Sequence, residues 1–409
     1  MKDSELVNKL WLSWNEINLR GKGKRIIFFG RGTWMGKTLN YLSDDGDYAV
    51  DNSKYEQGEI EKGLKIYHPD KLKEETWDDI FIIITTSAFY EVTAQLQNYG
   101  LIPGKHFCIT PSLKDFNSIS KVTSHDQTLY IACSDSYLES NEERGGGLYK
   151  YNTSSGELKK IINGLCHSIV DGKGCKYLID DMVGIRILDD KFSTVDIIDL
   201  PQKTRPHGIA FCPTRELIFI SFTGHDSIGI YDANSHRKVE EIFLSKKIEK
   251  LGTAQHHVND LCVIGDSLYV SMFSISGNWR LGLYDGGVIE FDIDSLEFKN
   301  PVLRDRWMPH NPMIIGENFF YCDSMRGTVN CGTWKTIIKL NGFVRGLAYD
   351  DQFFYVGHSM HRHIHRVEGS SHNISIDTGI YMVDETSKVT KFFPIPQLSD
   401  IHALYIPSA

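Results

Sequence analysis

Two textures of hydrophobic patterning divide the chain. Up to about residue 115, apolar positions recur at helical spacing or in short unbroken runs. Leu6, Leu10, Trp14 and Ile17 step by four and three residues and mark one face of a helix. RIIFF at 25–29 and IFIIIT at 80–85 read as short, fully buried strands, with a further strand ending at Asp51 and another around 106–109. Helices are expected over 38–42 and 90–99. Strands alternating with helices predict an α/β domain over 1–115, a small parallel sheet with right-handed crossovers. The polar, Ser-containing stretch 116–127 reads as a linker.

From residue 128 the period changes to two. Short β-rich segments recur at 129–133 (LYIAC), 177–180 (YLID), 217–221 (LIFIS), 268–272 (LYVSM), 319–323 (FFYCD) and 353–357 (FFYVG). Partner strands follow several of them, at 145–152, 227–232, 286–292 and 378–384. Six units over about 280 residues, roughly 47 each, match the repeat of a four-stranded propeller blade. A six-bladed β-propeller is therefore expected over 128–409. The unit starting at Leu129 has no first strand before it, and the segment at 401–404 (IHAL) can supply one, closing the ring with the C-terminus.

First strands line a propeller's channel, so equivalent positions on them converge. Aligning the segments at 166–169 (CHSI), 206–209 (PHGI), 256–259 (HHVN), 309–312 (PHNP), 344–347 (VRGL) and 401–404 (IHAL) places His167, His207, His257, His310, Arg345 and His402 in one ring. Several imidazoles held close together repel one another when protonated. Neutral imidazoles around a divalent cation remove that conflict, with His207, His257, His310 and His402 as the expected metal ligands or acid–base groups. A metal-free polar pocket holding water or an anion is the alternative. Asn259 shares a face with His257 by alternation and joins His167 and Asn311 on the substrate-binding wall. Arg345 requires a carboxylate or phosphate, either an internal acid or a bound acidic substrate.

Other features carry less. His361, His363 and His365 alternate in a basic loop at 358–366, a lid or simply a solvated loop. Trp279 with Arg280, and Trp307 with Arg306, are of the kind that stack on sugar rings. Ser221, Ser271 and Ser324 sit at strand ends, but none lies in a G-x-S-x-G elbow. Histidine- or metal-assisted acid–base chemistry is favoured over covalent catalysis.

In the first domain, Gly30, Gly32 and Gly36 follow a buried strand, the setting of a phosphate-cradling turn. Asp51 stands where a ribose-binding acid would. The spacing departs by one residue from G-x-G-x-x-G. A nucleotide or dinucleotide site and a degenerate docking module both fit.

Composition sets the outer limits. The 409 residues suit two or three domains, and 44 basic against 53 acidic residues give a net charge of −9 without a basic block for nucleic acid. No run of 18 apolar residues exists to cross a membrane, and the start, MKDSE, lacks the pattern of a secretory signal. Eight scattered cysteines without a C-x-x-C pair indicate reduced thiols and a cytoplasmic location.

The motifs FFGRGTWMGK, VDNS (50–53) and KIYHPDKL (65–72) resemble the Rossmann-like modules attached to bacterial sugar-modifying and glycan-assembly proteins. HHVNDL (256–261), GGVIEFD (286–292), MPHNP (308–312) and GFVRGLAYD (342–350) resemble a bacterial family catalogued as a conserved domain of unknown function. That resemblance implies a propeller and no activity. At the level of fold alone, the channel histidines are similar to those of six-bladed polysaccharide and streptogramin lyases, which implies metal-assisted β-elimination. The leading expectation is an enzyme of carbohydrate or glycan metabolism, acting on an acidic small molecule or sugar by elimination, epimerisation or hydrolysis. A non-catalytic binding or scaffold propeller is second, and a redox enzyme using a nucleotide on the first domain is third.

Overall fold

The computed structural model describes residues 9–43, 45–53, 59–135, 141, 143–361, 363–366 and 373–407. Leu6 of the first helical pattern therefore lies outside the described residues. The chain forms two compact units, Met1–Thr123 and Ser124–Ala409.

In the first unit, helix α1 (Trp14–Gly21) starts at a capping box. Glu16 N donates to Ser13 Oγ at 3.3 Å, and Ser13 N donates to Glu16 Oε2 at 2.8 Å. Strands β1 (Arg25–Phe29), β2 (Tyr48–Val50), β3 (Ile60–Glu61), β4 (Leu64–Tyr67), β5 (Ile80–Ile84) and β6 (Phe107–Ile109) make a sheet ordered β3-β4-β2-β1-β5-β6. It is parallel apart from the antiparallel β3–β4 pair. Alternation sends Ile27, Phe29, Ile82 and Ile84 into one buried cluster and Ile26, Phe28, Phe81 and Ile83 into another. Both faces are covered, which explains why the strands read as unbroken apolar runs.

Two expectations need correcting here. The helix after the glycines is α2 (Thr33–Leu39), five residues earlier than 38–42, because Gly32 takes φ 93° and starts the helix at once. The stretch 116–127 is not a linker for most of its length. After α3 (Phe89–Asn98), helix α4 (Pro111–Ser124) runs through it, burying Leu113, Ser118 and Val122 on a narrow stripe and leaving Phe116 and Ile119 exposed among polar residues.

The second unit is a six-bladed β-propeller of four-stranded antiparallel sheets. Five blades are consecutive in sequence and begin at Cys166, Pro206, Val258, Pro309 and Phe343. In the remaining sheet, Ala403–Tyr405 pairs with Thr128–Cys133, followed by Gly147–Asn152 and Leu158–Asn163, with Ala403 opposite Ala132 and Tyr405 opposite Tyr130. Among the described residues, no helix is long and apolar enough to cross a membrane.

Buried carboxylates anchor the segments that lead into the innermost strands. Asp180 accepts from Leu165 N (3.0 Å), Asp323 from Trp307 N (2.9 Å) and Asp135 from Ser399 N (2.8 Å). Asp226 accepts from the amides of Gln255, His256 and His257, the last two at 3.0 Å. Replacing Asp226 by Ala strands three amides at once, with an expected loss of about 3 kcal/mol in urea unfolding. A loss within about 0.5 kcal/mol, the range of an ordinary surface change, would show that water replaces the carboxylate.

Candidate functional site

Each of the five consecutive blades carries a β-bulge at the same place on its innermost strand. Two residues there oppose one on the neighbouring strand: His167 and Ser168, His207 and Gly208, Asn259 and Asp260, Asn311 and Pro312, and Arg345 and Gly346. A bulge bends the strand and re-aims its side chains. The serines noted at strand ends pin some of these bulges. Gly208 N donates to Ser221 Oγ at 2.7 Å, and Asp260 N donates to Ser271 Oγ at 3.0 Å.

The bulges correct the alignment of the ring. The equivalent residues are His167, His207, Asn259, Asn311 and Arg345, with His402 at the matching place in the sixth blade. His310 stands one residue before Asn311 and His257 two before Asn259, so neither holds the bulge position. Asn311, with φ 48°, is used to tie blades together. Its amide N donates to Asp260 Oδ2 (2.8 Å), its Oδ1 accepts from Gly346 N (2.6 Å), and its Nδ2 donates to His402 O (3.3 Å).

A cavity of about 350 Å³ opens above the ring. His167, His207, His402 and Arg345 form its polar side; Phe273, Trp279, Met308 and Phe343 form its apolar side. The nitrogens of His167, His207 and His402 lie within 4.8 Å of one another. His167 Nδ1 and His402 Nδ1 are 3.1 Å apart, and the His167 and His207 rings are 4.4 Å apart between centres. His402 Nε2 contacts Asp400 Oδ2 (2.9 Å), Arg345 Nη2 (2.9 Å) and Ser134 Oγ (2.5 Å).

The metal set expected from sequence is thus redrawn. His167, placed on the wall, joins His207 and His402, while His257 and His310 belong to the aromatic side. His257 stacks on Phe273 at 4.1 Å between ring centres. His310 lies 5.3 Å from Phe273, and its Nδ1 meets Met308 O (3.0 Å) and Ser324 Oγ (2.7 Å). A proton on Nδ1, donated to the Met308 carbonyl, leaves Nε2 with a lone pair.

Burial holds the imidazoles of His167, His207 and His310 well below their usual range, and the neighbouring His402 and Arg345 charges add to it. His257 is pushed down to about 3, first by burial and then by the charges of Arg205, Arg280, His363 and Arg345. These rings are neutral at pH 7, the form that binds metal or accepts a proton.

Of the two partners left open for Arg345, the fold supplies the internal one. Its Nη2 pairs with Asp400, and its Nε donates to Ile401 O at 3.1 Å. Sequence reasoning passed over Asp400, although an acid two residues before His402 on an extended segment shares its side. The rings of His361, His363 and His365 stand 6.5 and 6.4 Å apart between successive centres, and only His363 reaches the cavity. Arg362 of that cluster lies outside the described residues.

In the first unit, Gly30 answers to packing and Gly32 to its positive φ. A Cβ on Gly30 would come within 2.8 Å of Thr86 Cβ. Asp51 braces the loop: its Oδ2 accepts from Arg31 N (3.0 Å) and its Oδ1 from Ser53 N (2.7 Å). Gly36 lies inside the seven-residue α2, away from the turn itself.

Among solved structures, the chain is similar to a protein of unknown function from Bacteroides caccae, with 13% identity and a TM-score of 0.49 over 68% of this chain and 98% of that one. It is also similar to a chain of a nidogen/laminin complex, with 10% identity and a TM-score of 0.46 over 68% and 97%. An auxiliary nutrient binding protein from Bacteroides thetaiotaomicron has 9% identity and a TM-score of 0.39 over 57% and 74%. No curated protein matches the chain in sequence. The profile of the domain of unknown function DUF4915 matches residues 197–405, a span that includes His207, Asn259, Asn311, Arg345 and His402. With more than half of its length matched, the chain belongs to the DUF4915 family.

Proposed function

We propose that the propeller channel binds a divalent metal on His167, His207 and His402 and uses it on a small acidic substrate. The observation that carries this reading is the close set of three histidine nitrogens at the base of an open cavity. Two nitrogens bound tetrahedrally at ~2.05 Å from one zinc would stand about 3.3 Å apart. The 3.1 Å between His167 Nδ1 and His402 Nδ1 is close to that. Asp400 supports the same reading, since a carboxylate on the far nitrogen of a metal-binding histidine fixes its tautomer and raises its basicity. A metal there would polarise a substrate carboxylate or lower the pKa of a bound water.

His310 and His257, neutral and beside Phe273, are the groups to take or give a proton. A neutral imidazole base beside a polarised carboxylate suits removal of the adjacent carbon-bound proton, the first step of elimination or epimerisation. Hydrolysis is the other outcome of the same arrangement. Closure of the ring by Ala403–Tyr405 belongs to this proposal, because that strand's lead-in carries His402.

For the first unit we propose a Rossmann-like module, on the parallel order β4-β2-β1-β5-β6. The use of Asp51 to brace its own loop favours docking over nucleotide binding.

Elemental mass spectrometry on untagged protein tests the metal. Near-stoichiometric metal is expected in wild type and in His257→Ala, and loss of most of it in His207→Ala. Wild type without metal, but correctly folded, would favour the binding-module reading. The His167–His402 hydrogen bond and the Arg345–Asp400 pair would then be a self-satisfied polar plug.

A further inference from the structure

Arg345 was the group expected to hold the substrate's negative charge, and Asp400 already neutralises it. Two other guanidinium groups bear on the cavity, since the charges of Arg205 and Arg280 both act on His257. Arg205 lines the cavity directly, from a loop position with φ 46° just before the innermost strand that carries His207. Arg280 stacks on Trp279 at 4.6 Å, and Trp279 stands 4.7 Å from the His257 ring. Among the described residues, neither arginine has a carboxylate within 4 Å, although both side chains are exposed. Asp181 lines the same cavity and feels the Arg205 charge, but among the described residues the two form no ion pair within 4 Å.

Arg366 adds a third positive charge. It lies 5.9 Å over the Trp279 ring and 5.2 Å over that of Tyr284, and its buried Nη1 has no hydrogen-bond partner among the described residues. Cations held outside ion pairs beside a low-dielectric cavity concentrate anions and raise their rate of entry. The aromatic side between mouth and histidines offers flat, apolar surface to a ring. The volume suits one ring-sized ligand, at the small end of ligand pockets.

We infer that Arg205 and Arg280 form an anion subsite at the channel mouth, and that the ligand is a small cyclic organic anion bearing a carboxylate or phosphate. This inference rests on the proposed use of the channel for an acidic substrate, but not on the metal. The charged group of the ligand sits at the mouth, its ring lies against the Phe273 and Trp279 side, and its far end reaches the three histidines.

Isothermal titration of chelator-treated full-length protein tests this with three probes: D-glucuronate, D-glucose 6-phosphate and D-glucose. One or both anions are expected to bind at least tenfold more tightly than glucose, with an advantage that shrinks as salt rises. The anion that binds identifies carboxylate or phosphate as the recognised group. The Arg205→Gln/Arg280→Gln double variant should lower anion affinity to the level of glucose. Both arginines are on the surface, so folding is unaffected. Equal binding of glucose and the anions, no binding of any probe, or undiminished anion binding by the double variant would overturn the subsite. Because the metal is removed beforehand, a failed metal assignment leaves this result unchanged.

Discussion

Metal-stripped protein is expected to lose stability steeply as pH falls below about 6. The imidazoles of His167, His207 and His310 are held well below their ordinary range and His257 at about 3, so the folded propeller keeps them neutral. The unfolded chain protonates them near pH 6.5. Below that pH the unfolded state binds more protons, so stability falls with pH, on the order of 1 kcal/mol per pH unit for each histidine. The loss begins near 6.5 and continues down to each folded-state value. Asp260 works in the opposite direction. Burial pushes it up to about 6, so between about 6 and its unfolded value near 4 it holds a proton in the folded state and offsets one histidine.

These four histidines set against Asp260 amount to several kcal/mol between pH 6 and 5, comparable with the whole stability of many domains. Urea midpoints from pH 8 to 5 measure it. His257→Phe keeps the stack on Phe273 and should reduce the slope by about one proton. A flat profile from pH 7 to 5 would mean that the imidazoles take up protons in the folded state.

Replacing Arg345 by Met is expected to destabilise the propeller by about 3–5 kcal/mol, the cost of leaving a buried carboxylate without its partner. Asp400 is 1% exposed and Arg345 4%, so water does not reach the stranded charge. The double variant Arg345→Met/Asp400→Leu should regain most of that loss, since apolar replacement of a buried pair is often neutral. The two variants separate stability from site chemistry. Without Asp400, His402 loses the acceptor at Nε2, and metal affinity should fall about 10- to 100-fold even where the fold has recovered. Thermal unfolding and metal titration of the same preparations read the two effects independently. Full stability in Arg345→Met alone would show that Asp400 is neutralised by protonation or by another group.

Much of the architecture could be read along the chain because burial imposes a period. Runs such as RIIFF and IFIII are covered on both faces, and the near-47-residue recurrence of β segments yields six blades. The stretch 116–127 misled because α4 buries one narrow stripe, and at low apolar content a helix and a linker look alike.

The site was legible as a set of residue types but not as a geometry. Aligning PHNP and HHVN by their histidines put His310 and His257 in the ring, whereas the bulges put Asn311 and Asn259 there. A bulge is set by cross-strand hydrogen bonding, and no residue of the bulged strand announces it alone. The amino-acid order by itself determined the blades and the supply of histidines on their inner strands, since these follow from local alternation of apolar and polar residues. Tertiary structure decided which histidines meet and that Asp400 rather than a ligand answers Arg345. Those relations join residues from different blades, 55 positions apart for Arg345 and Asp400 and 235 for His167 and His402, and arise only when the ring brings distant strands together.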